Sequence, residues 1–133
     1  LIRGMPMKDG KNIILCIDDD DDFLDSMRAI IENAGYLVET AGSAEAGLRK
    51  YKELKPDLVI VDLMMEEVDA GISFVKEIKA LGKTPPIYML SSVGDDLNSS
   101  TDYSQLGLDD VFQKPIKLNV LLETLKARLK KKE

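Results

Sequence analysis

The sequence predicts an α/β protein in which a doubly wound, five-stranded parallel sheet carries helices on both faces. Short apolar runs alternate along the chain with longer segments whose apolar residues recur at helical spacing. Two of these runs, residues 13–17 (IILCI) and 58–61 (LVIV), are apolar at every position. Such runs are typical of strands that are buried on both faces of a parallel sheet. Right-handed crossovers through the intervening helices would join the strands.

The predicted strands are separated by residues that end helices or form turns. The strands comprise residues 13–17, 36–40, 58–61, 87–90 and 111–113. Residues 55–57 (KPD) precede the third strand and residues 82–86 precede the fourth, and both segments contain proline, which a helix interior excludes. Each strand therefore follows a clear helix end or turn.

Helical spacing predicts a long helix after each of the first, second, third and fifth strands. The first ends at Gly35, a residue typical of helix C-termini. Ser43 is the predicted N-cap of the second, which runs to about Leu54, and Asp69 the predicted cap of the third. Polar residues 92–105 are expected to form a loop and a short helix before the last helix. The apolar positions of the first, third and last helices are Phe23, Met27, Ile30, Ile31, Ile72, Val75, Ile78, Leu81, Leu118, Leu121, Leu122, Leu125 and Leu129; the last helix covers residues 118–130.

Composition limits the classes of protein to which the chain can belong. Its 133 residues suit one domain, and its formal net charge of −6 argues against a nucleic-acid-binding surface. No apolar run approaches the roughly 20 residues of a membrane span. Cys16 is the single cysteine and lies within the first apolar run, so we expect a buried, inert thiol in a protein of the reducing cytoplasm. Residues 1–10 lack periodicity and are expected to be a disordered tail before a domain of residues 11–133.

Charged side chains follow three of the predicted strands at the points where those strands end. Asp18 and Asp19 come directly after the first strand, Asp62 after the third, and Lys114 after the fifth. The carboxyl ends of parallel strands lie along one edge of a sheet, where open α/β folds bind ligands. Because three carboxylates at this edge would repel one another, we expect a lysine and a divalent cation beside them.

With these residues at this spacing, the chain resembles the receiver domain of two-component response regulators over nearly all of residues 11–133. The resemblance implies a flavodoxin-like sheet with strand order 2-1-3-4-5. It also implies a Mg²⁺ (or Mn²⁺) cofactor and transfer of a phosphoryl group from a phosphohistidine to one aspartate. The implied partners are a sensor histidine kinase or phosphotransfer protein and an output domain or effector. Direct nucleic-acid or membrane binding is not expected, and the implied state is a monomer or a weak phosphorylation-dependent dimer.

The resemblance assigns the acceptor and the metal ligands. Asp62 matches the phosphoacceptor, and Asp18 and Asp19 match the acidic pair that holds the metal. Met64 matches the position whose backbone carbonyl is a metal ligand. A carboxylate is ionised at neutral pH and attacks phosphorus without a general base. The domain would thereby catalyse its own phosphorylation and, through water, its own dephosphorylation.

Two further positions match groups that contact the phosphoryl group in this family. Ser91 matches a hydroxyl residue after the fourth strand, although the adjacent Ser92 leaves the choice open by one residue. Lys114 and Pro115 match a Lys-Pro pair whose peptide bond is usually cis. Phosphoryl transfer depends mainly on positioning and on neutralising oxygen charge, which an ammonium and a hydroxyl supply.

Two departures from the family pattern keep an alternative open. After the acceptor the family usually has Met-Pro-Gly-Met-Asp-Gly, whereas residues 65–71 read MEEVDAG, with no proline, two added acids and one inserted residue. Val111 stands where many relatives have Tyr or Phe, and Phe112 should face the opposite side of the sheet. The alternative is a pseudo-receiver, a binding module that works without phosphorylation.

A third class of function, an aspartyl phosphohydrolase, is suggested by Asp18 and Asp20 after a strand. Such enzymes usually need a cap domain and a longer chain. An EF-hand loop is excluded, because Phe23 and Ala29 occupy the positions of its glycine and bidentate glutamate. Asp21 and Asp22 are expected only to favour the N-terminus of the first helix.

Overall fold

The computed structural model describes residues 11–63, 65, 70–92 and 107–129. Its strands are β1 (Ile13–Ile17), β2 (Leu37–Ala41), β3 (Leu58–Asp62), β4 (Ile87–Ser91) and β5 (Asp110–Gln113). Its helices are α1 (Asp21–Asn33), α2 (Ala44–Leu54), α3 (Ala70–Ala80) and α4 (Leu118–Arg128). All strand pairs are parallel, and the order across the sheet is β2-β1-β3-β4-β5. The predicted α/β fold and the implied strand order are confirmed.

Two hydrophobic cores cover the two faces of the sheet. β1, β3 and β4 are buried along their whole length, as expected for the central strands of a parallel sheet. The core on the face of α1 and α4 consists of Ile14, Cys16, Leu24, Met27, Ile31, Val38, Leu58, Ile60, Tyr88, Leu90, Leu121, Leu125 and Leu129. The core on the face of α2 and α3 consists of Leu15, Ile17, Ala41, Val59, Val61, Leu63, Ile72, Phe74, Val75, Ile78, Ile87 and Met89. Since helices occupy both faces, the ends of the strands are where polar side chains can gather.

Cys16 belongs to the first of these cores, as its apolar surroundings in the sequence predicted. It is a free, buried cysteine. Burial raises the pKa of its thiol to about 12, so the reactive thiolate is scarcely populated at neutral pH.

Side-chain caps fix the starts of the two helices on either side of β2. The Oγ of Ser43 accepts the backbone N–H of Ala46 at 3.1 Å, which confirms the predicted N-cap of α2. At the start of α1, Asp20 is the N-cap, and its Oδ1 accepts the backbone N–H of Phe23 at 3.1 Å. The run of five consecutive aspartates in the sequence does not by itself distinguish Asp20 as this cap.

Some predicted boundaries were wrong by one or two residues. β2 begins at Leu37 rather than at Tyr36, because the Tyr36 N–H still bonds to Ile31 at the end of α1. α3 ends at Ala80, so Leu81 lies beyond the helix and is 57% exposed instead of packing on the core. α4 ends at Arg128 rather than at residue 130.

Several predictions concern residues that the structure does not describe. The predicted Asp69 cap, most of the polar segment after β4 and the predicted tail at residues 1–10 lie outside the described residues. Among the four helices that are described, none is long and apolar enough to cross a membrane.

Candidate functional site

The ends of β1 and β3 bring three carboxylates together. Oxygen atoms of Asp18, Asp19 and Asp62 lie within 4.8 Å of one another. Asp18 and Asp62 are buried, whereas Asp19 is exposed. The three aspartates therefore meet at the edge of the sheet where the sequence predicted them.

Lys114, which follows β5, reaches across the strand ends to this cluster. Its Nζ donates to Asp18 Oδ2 at 2.6 Å and lies 3.4 Å from Asp62 Oδ1. The side chains of all three residues are less than one-fifth exposed, so water screens these charges weakly. Three carboxylates and one ammonium leave two negative charges uncompensated at this site.

The uncompensated charge changes the ionisation of the site. Burial raises the pKa of Asp62 to about 6, the negative charge of Asp18 adds to this, and Lys114 opposes it. Burial by itself lowers the pKa of Lys114, but its hydrogen bond to Asp18 and the nearby carboxylates outweigh burial and raise that pKa. Lys114 therefore stays protonated at neutral pH. Asp62 is half ionised near pH 6 and becomes mostly ionised as the pH rises above that value.

The cluster has the donor set of a magnesium site. Mg²⁺ prefers oxygen ligands and usually takes one or two carboxylates together with water and phosphate oxygens. Both oxygens of Asp18 already accept hydrogen bonds, Oδ2 from Lys114 at 2.6 Å and Oδ1 from the Asp20 N–H at 3.0 Å. The oxygens of Asp18 are therefore less available to a metal ion than those of Asp19 and Asp62. Met64, whose carbonyl was expected to be a ligand, lies outside the described residues.

Ser91 is the serine that the end of β4 places inside the protein. It is fully buried, and among the described residues its hydroxyl oxygen has no hydrogen-bond partner. Ser92 is exposed, which separates the two serines that the sequence could not. The backbone N–H of Lys114 donates to the Ser91 carbonyl at 2.7 Å, so the ends of β4 and β5 are joined beside the site. An unpartnered buried hydroxyl is costly unless a ligand completes it.

The Lys114-Pro115 peptide bond is cis, as the resemblance implied. Val111 and Phe112 face opposite sides of the sheet, which confirms the predicted alternation. Val111 packs against the core of α2 and α3, whereas Phe112 stacks on Tyr88 in the core of α1 and α4. Phe112 therefore does not take the place of Val111 on the face of α2 and α3.

The other aspartates of the acidic run stabilise the start of α1. Asp20 is exposed and caps the helix, and Asp21 and Asp22 lie in its first turn, where negative charge is favourable. Asp20 is not part of the carboxylate cluster. The pair Asp18 and Asp20 that suggested a phosphohydrolase is thus divided between the cluster and a helix cap.

Phe23 was predicted only as an apolar position of α1, yet it also adjoins the site. Lys114 Nζ lies 4.4 Å from the centroid of its ring. The ring also borders an apolar groove of about 490 Å³ between α1 and the start of α4. The apolar residues that line this groove are Phe23, Met27, Ile30, Pro115, Ile116 and Leu118. In the sequence, the signal that Phe23 adjoins the site was its position as the first apolar residue of a helix that begins beside the aspartates.

Gly71, in the first turn of α3, lies against the backbone that carries Asp62. Its N–H donates to the Leu63 carbonyl at 3.2 Å. A Cβ at position 71 would collide with the carbonyl oxygen of Asp62 and would lie 2.9 Å from that of Leu63. The absence of a side chain therefore allows α3 to approach the end of β3.

Gly71→Ala is expected to lower the free energy of unfolding by about 1–3 kcal/mol, because the helix or the strand end must move to admit the methyl group. Gly42→Ala is the control, since no atom lies within 4 Å of a Cβ at that position. Chemical denaturation of both variants measures the difference. Equal stability of the two variants would show that α3 does not press on β3 at this point.

Comparisons with known proteins identify the family and agree with this fold. A family model described as "Response regulator receiver domain" matches residues 14–126. The chain is 31% identical over 120 residues to the alkaline phosphatase synthesis transcriptional regulatory protein PhoP of Bacillus subtilis, covering 90% of this chain and 49% of that protein. It is 34% identical over 120 residues to the transcriptional regulatory protein ZraR of Salmonella typhimurium, covering 90% of this chain and 27% of that protein. The chain thus spans about half or less of the length of these relatives.

Solved structures give the same result. A CheY-like response regulator receiver domain protein from Methanospirillum hungatei superposes with a TM-score of 0.79 at 29% identity, covering 88% of this chain and 92% of that chain. The chemotaxis protein CheY4 of Vibrio cholerae superposes with a TM-score of 0.77 at 28% identity, covering 90% of this chain and 99% of that chain.

Proposed function

This chain belongs to the response regulator receiver domains of two-component systems, and we propose that it takes a phosphoryl group onto Asp62 from a phosphohistidine of a partner protein. The observation that carries this proposal is the meeting of Asp18, Asp19, Asp62 and Lys114 at one edge of the sheet. In the proposed reaction an oxygen of Asp62 forms the new bond to phosphorus. The bond from phosphorus to the imidazole nitrogen breaks, and the imidazole leaves.

Each neighbouring group has a proposed role in this transfer. Lys114 already lies 3.4 Å from Asp62, so its ammonium is placed to attract a phosphoryl oxygen that arrives there. The buried Ser91 hydroxyl lacks a partner among the described residues and would donate to a second phosphoryl oxygen. Asp62 itself needs no general base above pH 6, because it is then ionised.

The carboxylates would hold Mg²⁺, or Mn²⁺, through Asp19 and Asp62 directly, Asp18 through water, and the carbonyl of Met64. When bound, the ion neutralises charge that develops on the phosphoryl oxygens. The two uncompensated negative charges of the cluster support this assignment.

The proposed donor is a sensor histidine kinase or phosphotransfer protein that meets the domain in the cytoplasm. A donor that presents its phosphohistidine to Asp62 must approach beside Lys114, which borders the apolar groove. A helix of the donor with an apolar face would fit there, and Leu118, which is 48% exposed, would then be covered. The phosphorylated domain would act on an output domain or an effector protein.

Intact mass spectrometry after incubation with Mg²⁺ and acetyl phosphate tests the proposal. We expect the wild type to gain one phosphoryl mass only when Mg²⁺ is present, and Asp62→Ala to gain none. The absence of an adduct on a folded protein, together with no binding of beryllium fluoride, would refute the proposal and favour the pseudo-receiver.

A further inference from the structure

The Lys114 ammonium has two kinds of neighbour. It contacts the carboxylates of Asp18 and Asp62, at 2.6 Å and 3.4 Å. It also lies over the ring of Phe23, with 4.4 Å between Nζ and the ring centroid. An aromatic face within about 6 Å attracts a cation, and more strongly where water is partly excluded. We propose that Phe23 is a positioning residue that holds the Lys114 ammonium over the carboxylates.

The ring is itself held in place. Phe23 lies in the first turn of α1, and its backbone N–H donates to the Asp20 side chain at 3.1 Å. The ring packs at the border of the core that α1 forms with α4. The cap and the core together fix the position from which the ring meets Lys114.

A positioning residue is needed here because a lysine side chain is flexible. Four methylene groups joined by rotatable bonds separate its ammonium from the backbone, and the ammonium is a compact, strongly hydrated charge. The described residues that line the groove beside Lys114 include no carboxylate, and among them the ring of Phe23 supplies an attraction for the ammonium. Replacing the ring by an aliphatic side chain would retain the apolar wall of the groove but lose the attraction for a cation.

The test compares Phe23→Leu, which removes the aromatic face, with Phe23→Tyr, which keeps it. Tyr36→Leu is the matched control, because the Tyr36 ring packs against the same core but precedes the amino end of β2, away from the site. The first readout is the NMR order parameter of the Lys114 ammonium group in the metal-free protein, which reports how mobile that group is. The second readout rests on the proposed function, and it is the rate of phosphorylation by acetyl phosphate at saturating Mg²⁺.

We expect Phe23→Leu to make the Lys114 ammonium more mobile and to slow phosphorylation by about threefold to tenfold, as loss of one cation–π contact implies. Phe23→Tyr and Tyr36→Leu should match the wild type in both readouts. An unchanged mobility of the ammonium in Phe23→Leu would overturn the proposal. A more mobile ammonium in Phe23→Leu would overturn it as well if Phe23→Tyr shows the same mobility, if Tyr36→Leu shows the same change, or if the phosphorylation rate is unchanged. If the wild type is not phosphorylated, the proposed function fails, and the order of the ammonium still decides the positioning role.

Discussion

Lys114→Met is expected to destabilise the metal-free protein by about 3 kcal/mol at pH 8, the cost of leaving a buried charge without its partner. The substitution removes the cation that lies 2.6 Å from Asp18 and 3.4 Å from Asp62, and both carboxylates are buried. Added Mg²⁺ should restore part of the loss, because it supplies positive charge to the same oxygens and binds only the folded state. Urea denaturation with and without Mg²⁺ measures both effects.

Arg128→Met is the matched control for this prediction. Arg128 and Asp109 form an ion pair with the same 2.6 Å separation, but the arginine side chain is 43% exposed. Exposed pairs contribute about 0–1 kcal/mol, so the control should lose far less stability. Equal losses in the two variants would show that burial does not strengthen the pair at the site.

Asp62→Asn is expected to stabilise the metal-free protein by about 2–3 kcal/mol at pH 8. The pKa of Asp62 is about 6 in the folded protein, above its ordinary value of 3.8, so the folded state binds this proton more tightly than the unfolded chain. The stability that this proton contributes is complete below pH 4 and is lost as the pH rises through about 6. Asparagine removes the charge with almost the same shape, and the gain should therefore vanish near pH 4.

The pH profile and the response to Mg²⁺ separate this effect from a general effect of charge removal. Asp25→Asn, which removes an exposed carboxylate of α1, should change stability by less than about 0.5 kcal/mol at any pH. Mg²⁺ should stabilise the wild type more than Asp62→Asn, because the variant offers the ion one carboxylate fewer. A variant that is less stable than the wild type at pH 8 without metal would contradict the charge balance described for the site.

The part of the site that could be predicted from the sequence is the part fixed by topology. Asp18 and Asp19 follow β1, Asp62 is the last residue of β3, and Lys114 follows β5. Parallel strands place their carboxyl ends at one edge whatever the details of packing. The three central strands, β1, β3 and β4, could be located because strands buried on both faces read as continuous apolar runs.

The remaining features depend on tertiary geometry. The acidic run contains one residue type with several roles, and only the exact end of β1 decides that Asp20 caps α1 while Asp18 joins the cluster. The contact between Phe23 and Lys114 depends on the rotation of α1 relative to the end of β5, which periodicity does not specify. The adjacent Ser91 and Ser92 are equivalent in the sequence. Only the folded structure shows that Ser91 is buried and that Ser92 is exposed.

The proposed role of Asp62 as the phosphoacceptor is tested by locating the phosphoryl group in the chain. After incubation with Mg²⁺ and acetyl phosphate, borohydride reduction converts an aspartyl phosphate to homoserine, which peptide mass spectrometry locates. We expect homoserine at position 62 alone, and only when Mg²⁺ was present. Homoserine at position 18 or 19 with none at 62, or a phosphoryl group that borohydride does not reduce, would contradict it.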